Sequence, residues 1–274
     1  MKKWRLLAAL SVFVLVLSGC SGKEKDTAGK KQPLPDDKLV IGVTAGPHEE
    51  IMEKVKEVAG LDGLTIELKV FNEYVMPNVA LAEKELDANS FQTRPYFDQF
   101  KKDRNLDLVA VMDTVTFPMG IYSNNIKDIN KLPQGARVGV PNDPANEARA
   151  LQLFEKAGLI TLKEGAGEQA TPGDIEKNPK KLQFVELEAS QLPRQLDELD
   201  GAAINTNFAI EHGFLPAKDS IFMEGKDSPH VNLIAVRTEN KDDPVLKKLK
   251  KAYHSDEVKS FVEKNFKGSV LPSW

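Results

Sequence analysis

The chain has 274 residues and a single cysteine, Cys20. One thiol forms no internal disulfide, so the folded part must rest on its apolar core. Histidine is also scarce: there are four, His48, His212, His230 and His254, far apart and never in the H-E-x-x-H spacing of a zinc site. A G-x-S-x-G elbow, a phosphate-binding P-loop and a G-x-G-x-x-G turn are all missing. No catalytic residue, metal or cofactor is therefore assigned, although among 41 acidic residues a working carboxylate pair stays open. An excess of base is lacking too, since 37 basic residues against those 41 leave a net charge of −4. Such a surface argues against broad nucleic-acid binding. No short repeat recurs, which argues against a solenoid.

What is present begins with a leader. Lys2, Lys3 and Arg5 precede an apolar run over residues 6–17, interrupted by Ser11 alone, and Ser18 and Gly19 follow. A basic start, a short apolar core and small residues at a cut site mark a secretory signal. The run is too short to cross a bilayer comfortably, which takes roughly 20 residues. Leu17-Ser18-Gly19-Cys20 resembles a bacterial lipobox, which implies that residues 1–19 are removed and that Cys20 receives lipid. An ordinary cleaved signal with a chance cysteine, or a retained membrane anchor, are the alternatives. Cleavage leaves 255 residues carrying 34 basic and 41 acidic side chains, a net charge of −7. That length suits one large domain or two ordinary ones. Residues 20–37 are rich in Lys, Gly, Asp and Pro and read as a flexible tether.

From Lys38 the pattern changes. Strands are expected over residues 38–43, 64–70 and 106–112, with helices from Pro47 and over 76–86 and 94–104. The alternation restarts with a strand over 137–140, a helix over 144–156 and strands over 182–187, 201–205 and 231–237. Residues 191–199 read as helical, and helices over 244–254 and 256–266 close the chain. The alternation predicts two α/β units of roughly 100 residues each, with mainly parallel sheets flanked by helices.

Three groups of residues suit a small ligand. In "VPNDPANEARALQLFEKAG", Asp143 can cap a helix and Pro144 can take its first position. Asn146 and Arg149 then share a face near the amino end, where free N–H groups favour an anion and an Arg can clamp a carboxylate. A surface Arg paired to Glu147 or to a loop carboxylate is the competing reading. Asn205 and Asn207 end a strand in "GAAINTNFAIEHG", where open α/β sheets bind ligands, and Asn232 opens another strand. Each could instead satisfy loop backbone. Tyr74, Phe91, Tyr96 and Phe117 could line an apolar slot, or simply belong to the core.

The stretches "TAGPHEEIMEKV", "PNVALAEKELDANSFQ", "FPMGIYS", "VPNDPANEARAL", "INTNFAIEHG", "SPHVNLIAVR" and "FKGSVLPSW" closely resemble the NlpA/MetQ family of methionine-binding lipoproteins of bacterial ABC importers. The likeness runs from the signal to the last residue. It implies a two-lobed, periplasmic-binding-protein-like fold with two crossings, near residues 116–121 and 228–233. Residues 38–118 plus 232–274 would form one lobe and 119–231 the other. It further implies a protein held by Cys20 on the extracytoplasmic side of the cell membrane, delivering ligand to a permease driven by a cytoplasmic ATPase. Arg149 and Asn146 match the family's carboxylate clamp, and Asn205 and Asn232 its contacts to the amino acid backbone. Tyr74, Phe91 and Tyr96 match its aromatic slot for a thioether. One position departs: relatives often carry histidine where Thr93 stands, and Arg94 follows it. A methionine-containing dipeptide or another small amino acid thus remains an alternative ligand. An adhesin or signalling lipoprotein, or an enzyme on the same scaffold, are alternatives of other classes.

Overall fold

The amphipathic segments after Asp37 assemble around two sheets. A computed structural model of the chain describes residues 32–274, so the leader, Cys20 and most of the tether lie outside the described residues. The chain runs β1 (Lys38–Thr44), α1 (Pro47–Leu61), β2 (Thr65–Phe71), α2 (Met76–Ala82), β3 (Ala88–Thr93), α3 (Arg94–Asp103) and β4 (Leu108–Thr116). Next come β5 (Gly120–Tyr122), β6 (Arg137–Pro141), α4 (Pro144–Lys156), β7 (Thr161–Leu162), β8 (Ile175–Lys177), β9 (Gln183–Leu187), β10 (Gly201–Ile204), α5 (Thr206–Glu211), α6 (Pro216–Asp219) and β11 (Phe222–Met223). Finally β12 (Val231–Arg237), α7 (Val245–Tyr253), α8 (Asp256–Phe266) and β13 (Leu271–Pro272) complete it. No helix among the described residues is long and apolar enough to cross a membrane.

The first sheet has the order β13-β4-β12-β3-β1-β2, the second β11-β5-β10-β6-β9, and β7 pairs with β8 apart. In the first, β1 to β4 run one way and β12 and β13 the other. In the second, only β5 is reversed. Parallel pairing, the signature of βαβ units, is confined to β2-β1-β3 and β10-β6-β9; the other five neighbouring pairs are antiparallel, so both sheets are mixed. The chain leaves the first sheet after Thr116 and enters the second at Gly120; it returns between Met223 and Val231. One apolar core joins β1, α1, α7 and α8, with Ile41, Val55, Leu249 and Val262 fully enclosed. A second joins α4 to its sheet through Val138, Leu151 and Phe154.

Local chemistry sets the helix starts. Pro144 stands first in α4 and Asp143 Oδ1 accepts the Asn146 N–H at 2.9 Å, a side-chain N-cap. Gly46 opens α1 at φ 79°, a conformation glycine adopts without cost, and so turns His48 into the first helical turn. Three expectations differ from the structure. The helix from Met76 stops at Ala82, because Lys84 adopts φ 67° and the chain turns. Residues 191–199 are not an α-helix; a 3₁₀ segment spans Ala189–Gln195 with Pro193, which has no N–H to donate, inside it. The strand Ala88–Thr93, absent from the sequence reading, lies in the middle of the first sheet.

Candidate functional site

The ends of several elements surround one small cavity. From the first sheet and its helices come Tyr74 after β2, Phe91, Gln92 and Thr93 at the end of β3, and Tyr96 in α3. β12 runs opposite to β3, so its first residues lie beside the carboxyl end of β3, and Asn232 pairs with Thr93. Asn146 and Arg149 from α4 and Asn207 from α5 line the other side, with Phe117 from the first crossing and His48 from α1. Ligands of open α/β sheets bind at such carboxyl ends.

One wall is aromatic. Tyr74 packs against Phe91 at 5.8 Å and Tyr96 at 5.7 Å between ring centroids, and against Phe208 at 4.8 Å. The phenols hold their own places: Tyr74 donates to Asn207 Oδ1 at 2.5 Å, and Tyr96 to the carbonyl of Tyr74 at 2.9 Å. Burial pushes both phenols far above the ordinary tyrosine range, so they stay protonated donors. The rings are both core and cavity wall, the two readings that the sequence left open.

The opposite side is polar. Arg149, 4 % exposed, donates through Nε to Glu224 Oε1 at 2.8 Å and through Nη2 to Glu224 Oε2 at 2.6 Å. Nη2 also reaches the Phe117 carbonyl at 2.8 Å. Burial alone would lift the Glu224 carboxyl, but the guanidinium and the Met119 N–H hold it down at about 2. Burial drives His48 down to about 3, so its ring, 4.5 Å from that of Phe117, is neutral near pH 7. His230, 3.9 Å from Glu224, is lowered to about 4 by burial and by Arg149 against the pull of the carboxylate.

Two amide donors, Asn207 Nδ2 and Asn232 Nδ2, are buried with no hydrogen-bond partner among the described residues. Folded proteins rarely leave such groups unmade, since each costs about 1–3 kcal/mol. Beside Arg149, two unpartnered donors make the cavity fit for a ligand that carries a carboxylate. The aromatic wall suits an apolar or thioether chain.

The structure gathers Tyr74, Phe91, Thr93, Tyr96, Asn146, Arg149 and Asn232 around this one cavity. Asn205 stands behind them, its Nδ2 donating to Asn146 Oδ1 at 2.8 Å, while Asn207, two residues on, reaches the cavity. Arg149 is neither a surface residue nor a partner of Glu147, but it is paired to a loop carboxylate, the other half of the competing reading: its fork is engaged by Glu224, between β11 and β12 and 75 positions away. Asn146 Nδ2 is likewise spent on Asp143, at 3.0 Å from each carboxylate oxygen. The asparagine therefore orients the helix end more than it offers a free donor. Gln92, His48 and Glu224 carried no signal in the sequence; Gln92 sits in the strand that its polar neighbours concealed.

A family profile described as NlpA lipoprotein matches residues 39–274. The chain is 45% identical over 277 residues to a Salmonella typhimurium protein described as D-methionine-binding lipoprotein MetQ, covering 99% of each chain. It is also similar to a solved nutrient-binding protein from Burkholderia cenocepacia bound to methionine. That likeness has 49% identity and a TM-score of 0.85, and covers 86% of this chain and 100% of that one. An ABC transporter periplasmic substrate-binding protein from Coxiella burnetii gives 45% identity and a TM-score of 0.83, over 86% and 100%. The two-sheet architecture, the cavity at the strand ends and the match over nearly the whole length agree: the chain belongs to the NlpA lipoprotein family.

Proposed function

We propose that this chain is the lipid-anchored binding protein of an ABC importer and that it closes around free methionine. The observation that carries the reading is the cavity itself. Asn207 and the Arg149 guanidinium line one side, and Tyr74, Phe91 and Tyr96 line the other, where Asn232 adds a second unpartnered amide donor beside Thr93. In this reading Asn207, Asn232 and the free Nη1 edge of Arg149 hold the ligand's carboxylate. Asn146 and Asn205 brace that end of the cleft, and Thr93 borders the side-chain slot. Sulfur over aromatic rings contributes roughly 0.3–1.5 kcal/mol per contact.

Residues 38–118 plus 232–274 make one lobe in this proposal and 119–231 the other, and the crossings between them act as hinges for closure. Cys20 carries the lipid that keeps the protein at the extracytoplasmic face of the membrane. The partners are a permease and its cytoplasmic ATPase. The role is binding, not turnover. A relative described as a D-methionine-binding lipoprotein and a solved nutrient-binding protein bound to methionine support the binding role and the ligand.

The test is calorimetry on protein stripped of ligand by unfolding and refolding. L-methionine, D-methionine and Gly-Met are titrated in parallel. Saturable heat with L- or D-methionine, stronger than with Gly-Met, is expected. Preference for Gly-Met would move the assignment to the dipeptide, and no heat from any of the three would overturn it.

A further inference from the structure

Among the described residues, Arg149 is the one side chain lining the cavity that carries a full charge, because His48 is neutral and the remaining liners are aromatic or amide and hydroxyl groups. Its partner is not itself in the cavity wall. Glu224 belongs to the second crossing and binds both crossings together. Besides the two bonds from Arg149, its Oε2 accepts from Met119 N at 2.9 Å, in the first crossing, and from Ser228 Oγ at 2.9 Å, in its own. Its backbone N–H donates to the Met119 carbonyl at 2.9 Å as well. Arg149 in turn reaches the first crossing through the Phe117 carbonyl.

A bidentate carboxylate is a costly thing to bury unless it has work to do. Here it sets the charge that a ligand meets. With Glu224 ionised beside it, the guanidinium brings no net charge to the cleft. An entering molecule with no net charge of its own, such as an amino acid zwitterion, then adds none to the closed site, where the Asp143 carboxyl already stands against Asn146. An organic anion that offers the same carboxylate but no ammonium would leave an excess negative charge enclosed in low dielectric, which is unfavourable. We propose that Glu224 is a positioning residue that neutralises Arg149 and fixes it to both crossings, and that it thereby makes the cleft select zwitterions over anions of the same shape. This rests on the reading of the cavity as an amino acid site.

The probe pair is L-methionine and its hydroxy analogue, 2-hydroxy-4-(methylthio)butanoate. The analogue replaces the ammonium by a hydroxyl and has a net charge of −1. The quantity read is the ratio of the two dissociation constants. The wild-type protein should favour methionine. Glu224→Gln keeps the shape and the acceptor oxygen but leaves Arg149 uncompensated, so the ratio should move toward the anion by at least tenfold. Removing both charges in Arg149→Met/Glu224→Gln should weaken both ligands and return the ratio to within about threefold of wild type. That double variant also serves if Glu224→Gln alone does not fold, because it leaves no lone buried charge. A purely structural role for Glu224 would weaken both ligands alike and leave the ratio where it was. An unmoved ratio in Glu224→Gln, or a double variant that favours the anion over methionine, would overturn the inference and leave the proposed function standing. Binding of neither compound by the wild-type protein would sink both together.

Discussion

Asn232 and Arg149 line the same cavity, yet they answer to different forces. Arg149 is committed twice, to Glu224 within the protein and, in the function proposed, to the ligand. Truncating it strands a buried carboxylate, which costs about 3–5 kcal/mol whatever the ligand does. Loss of binding in such a variant would mix two causes. Asn232 separates them. Its Nδ2 has no partner among the described residues, so Asn232→Ala removes no hydrogen bond of that nitrogen there. Ligand-free stability, read from a urea midpoint, should change by less than about 1 kcal/mol. Methionine affinity should fall by about ten- to a hundredfold, because a hydrogen bond to a charged group contributes about 1.5–3 kcal/mol and each decade is about 1.4 kcal/mol. A stability loss as large as the affinity loss would make Asn232 a structural residue. Nothing in the sequence distinguishes these two side chains. Asn146 and Arg149 can be placed on one helix face from their spacing, but a partner 75 positions away cannot be found that way. Spacing also cannot say which of Asn205 and Asn207 turns toward the cavity.

At the scale of elements, β3 is the instructive case. Its six residues, Ala88–Thr93, are all buried, and it lies between β1 and β12. Four of them are polar: Asn89, Ser90, Gln92 and Thr93. Apolar periodicity is the main signal of a strand, so this one is invisible to it. The polar groups are tolerated because they satisfy each other. Asn78 Oδ1 accepts from Asn89 Nδ2 and from Gln92 Nε2, each at 2.8 Å, and Asn78 Nδ2 donates to Gln92 Oε1 at 2.7 Å. The network locks α2 to β3 and holds Gln92 in the floor of the cavity. Asn78→Ala leaves Gln92 Oε1 without its donor and weakens two further bonds. A loss of about 2–4 kcal/mol in ligand-free stability is expected, at about 1–3 kcal/mol per disturbed buried group. Urea denaturation checks it, and a loss under about 0.5 kcal/mol would show that the network does not support the strand. Elements whose signals are local were legible. Asp143 and Pro144 announce α4, whose bounds match the expectation, and the apolar run of β12 does the same.

For the whole molecule, the buried histidines set how stability responds to acid. His48 and His230 titrate near 6.5 when exposed, but in the fold they are held at about 3 and about 4. Below pH 6.5 the unfolded chain therefore binds protons that the folded chain refuses, so stability falls as the pH falls. His230 completes this loss near pH 4 and His48 near pH 3. Glu224, held at about 2, adds its own loss as the pH falls below about 4.5. Glu147 has the opposite sign. Burial and the neighbouring Glu186 raise it to about 7, so its contribution is full below about pH 4.5 and fades as the pH rises to 7. Asp143, raised by burial, has the same sign as Glu147, so the two carboxyls offset part of the loss that the two histidines impose as the pH falls from 6.5 to 4. In His48→Gln the thermal midpoint should fall less, or rise more, than in the wild type as the pH goes from 6.5 to 4, since that side chain does not titrate. Identical slopes for the two proteins, measured by circular dichroism melts in one buffer series, would mean that His48 is not held neutral.

The sequence by itself determined the class of the fold. Strand and helix alternation, helix caps and long family motifs are local patterns, and local patterns survive without coordinates. It also determined most of the side chains that meet at the cavity, because the family likeness carries them position by position. The tertiary structure decided what those side chains do to one another. Which oxygen the Arg149 fork grips, which amides are left unpartnered and which polar strand is buried in the middle of a sheet all depend on contacts between distant residues. Such contacts form when burial removes water from polar groups and leaves them only each other, and that competition has no signature along the chain.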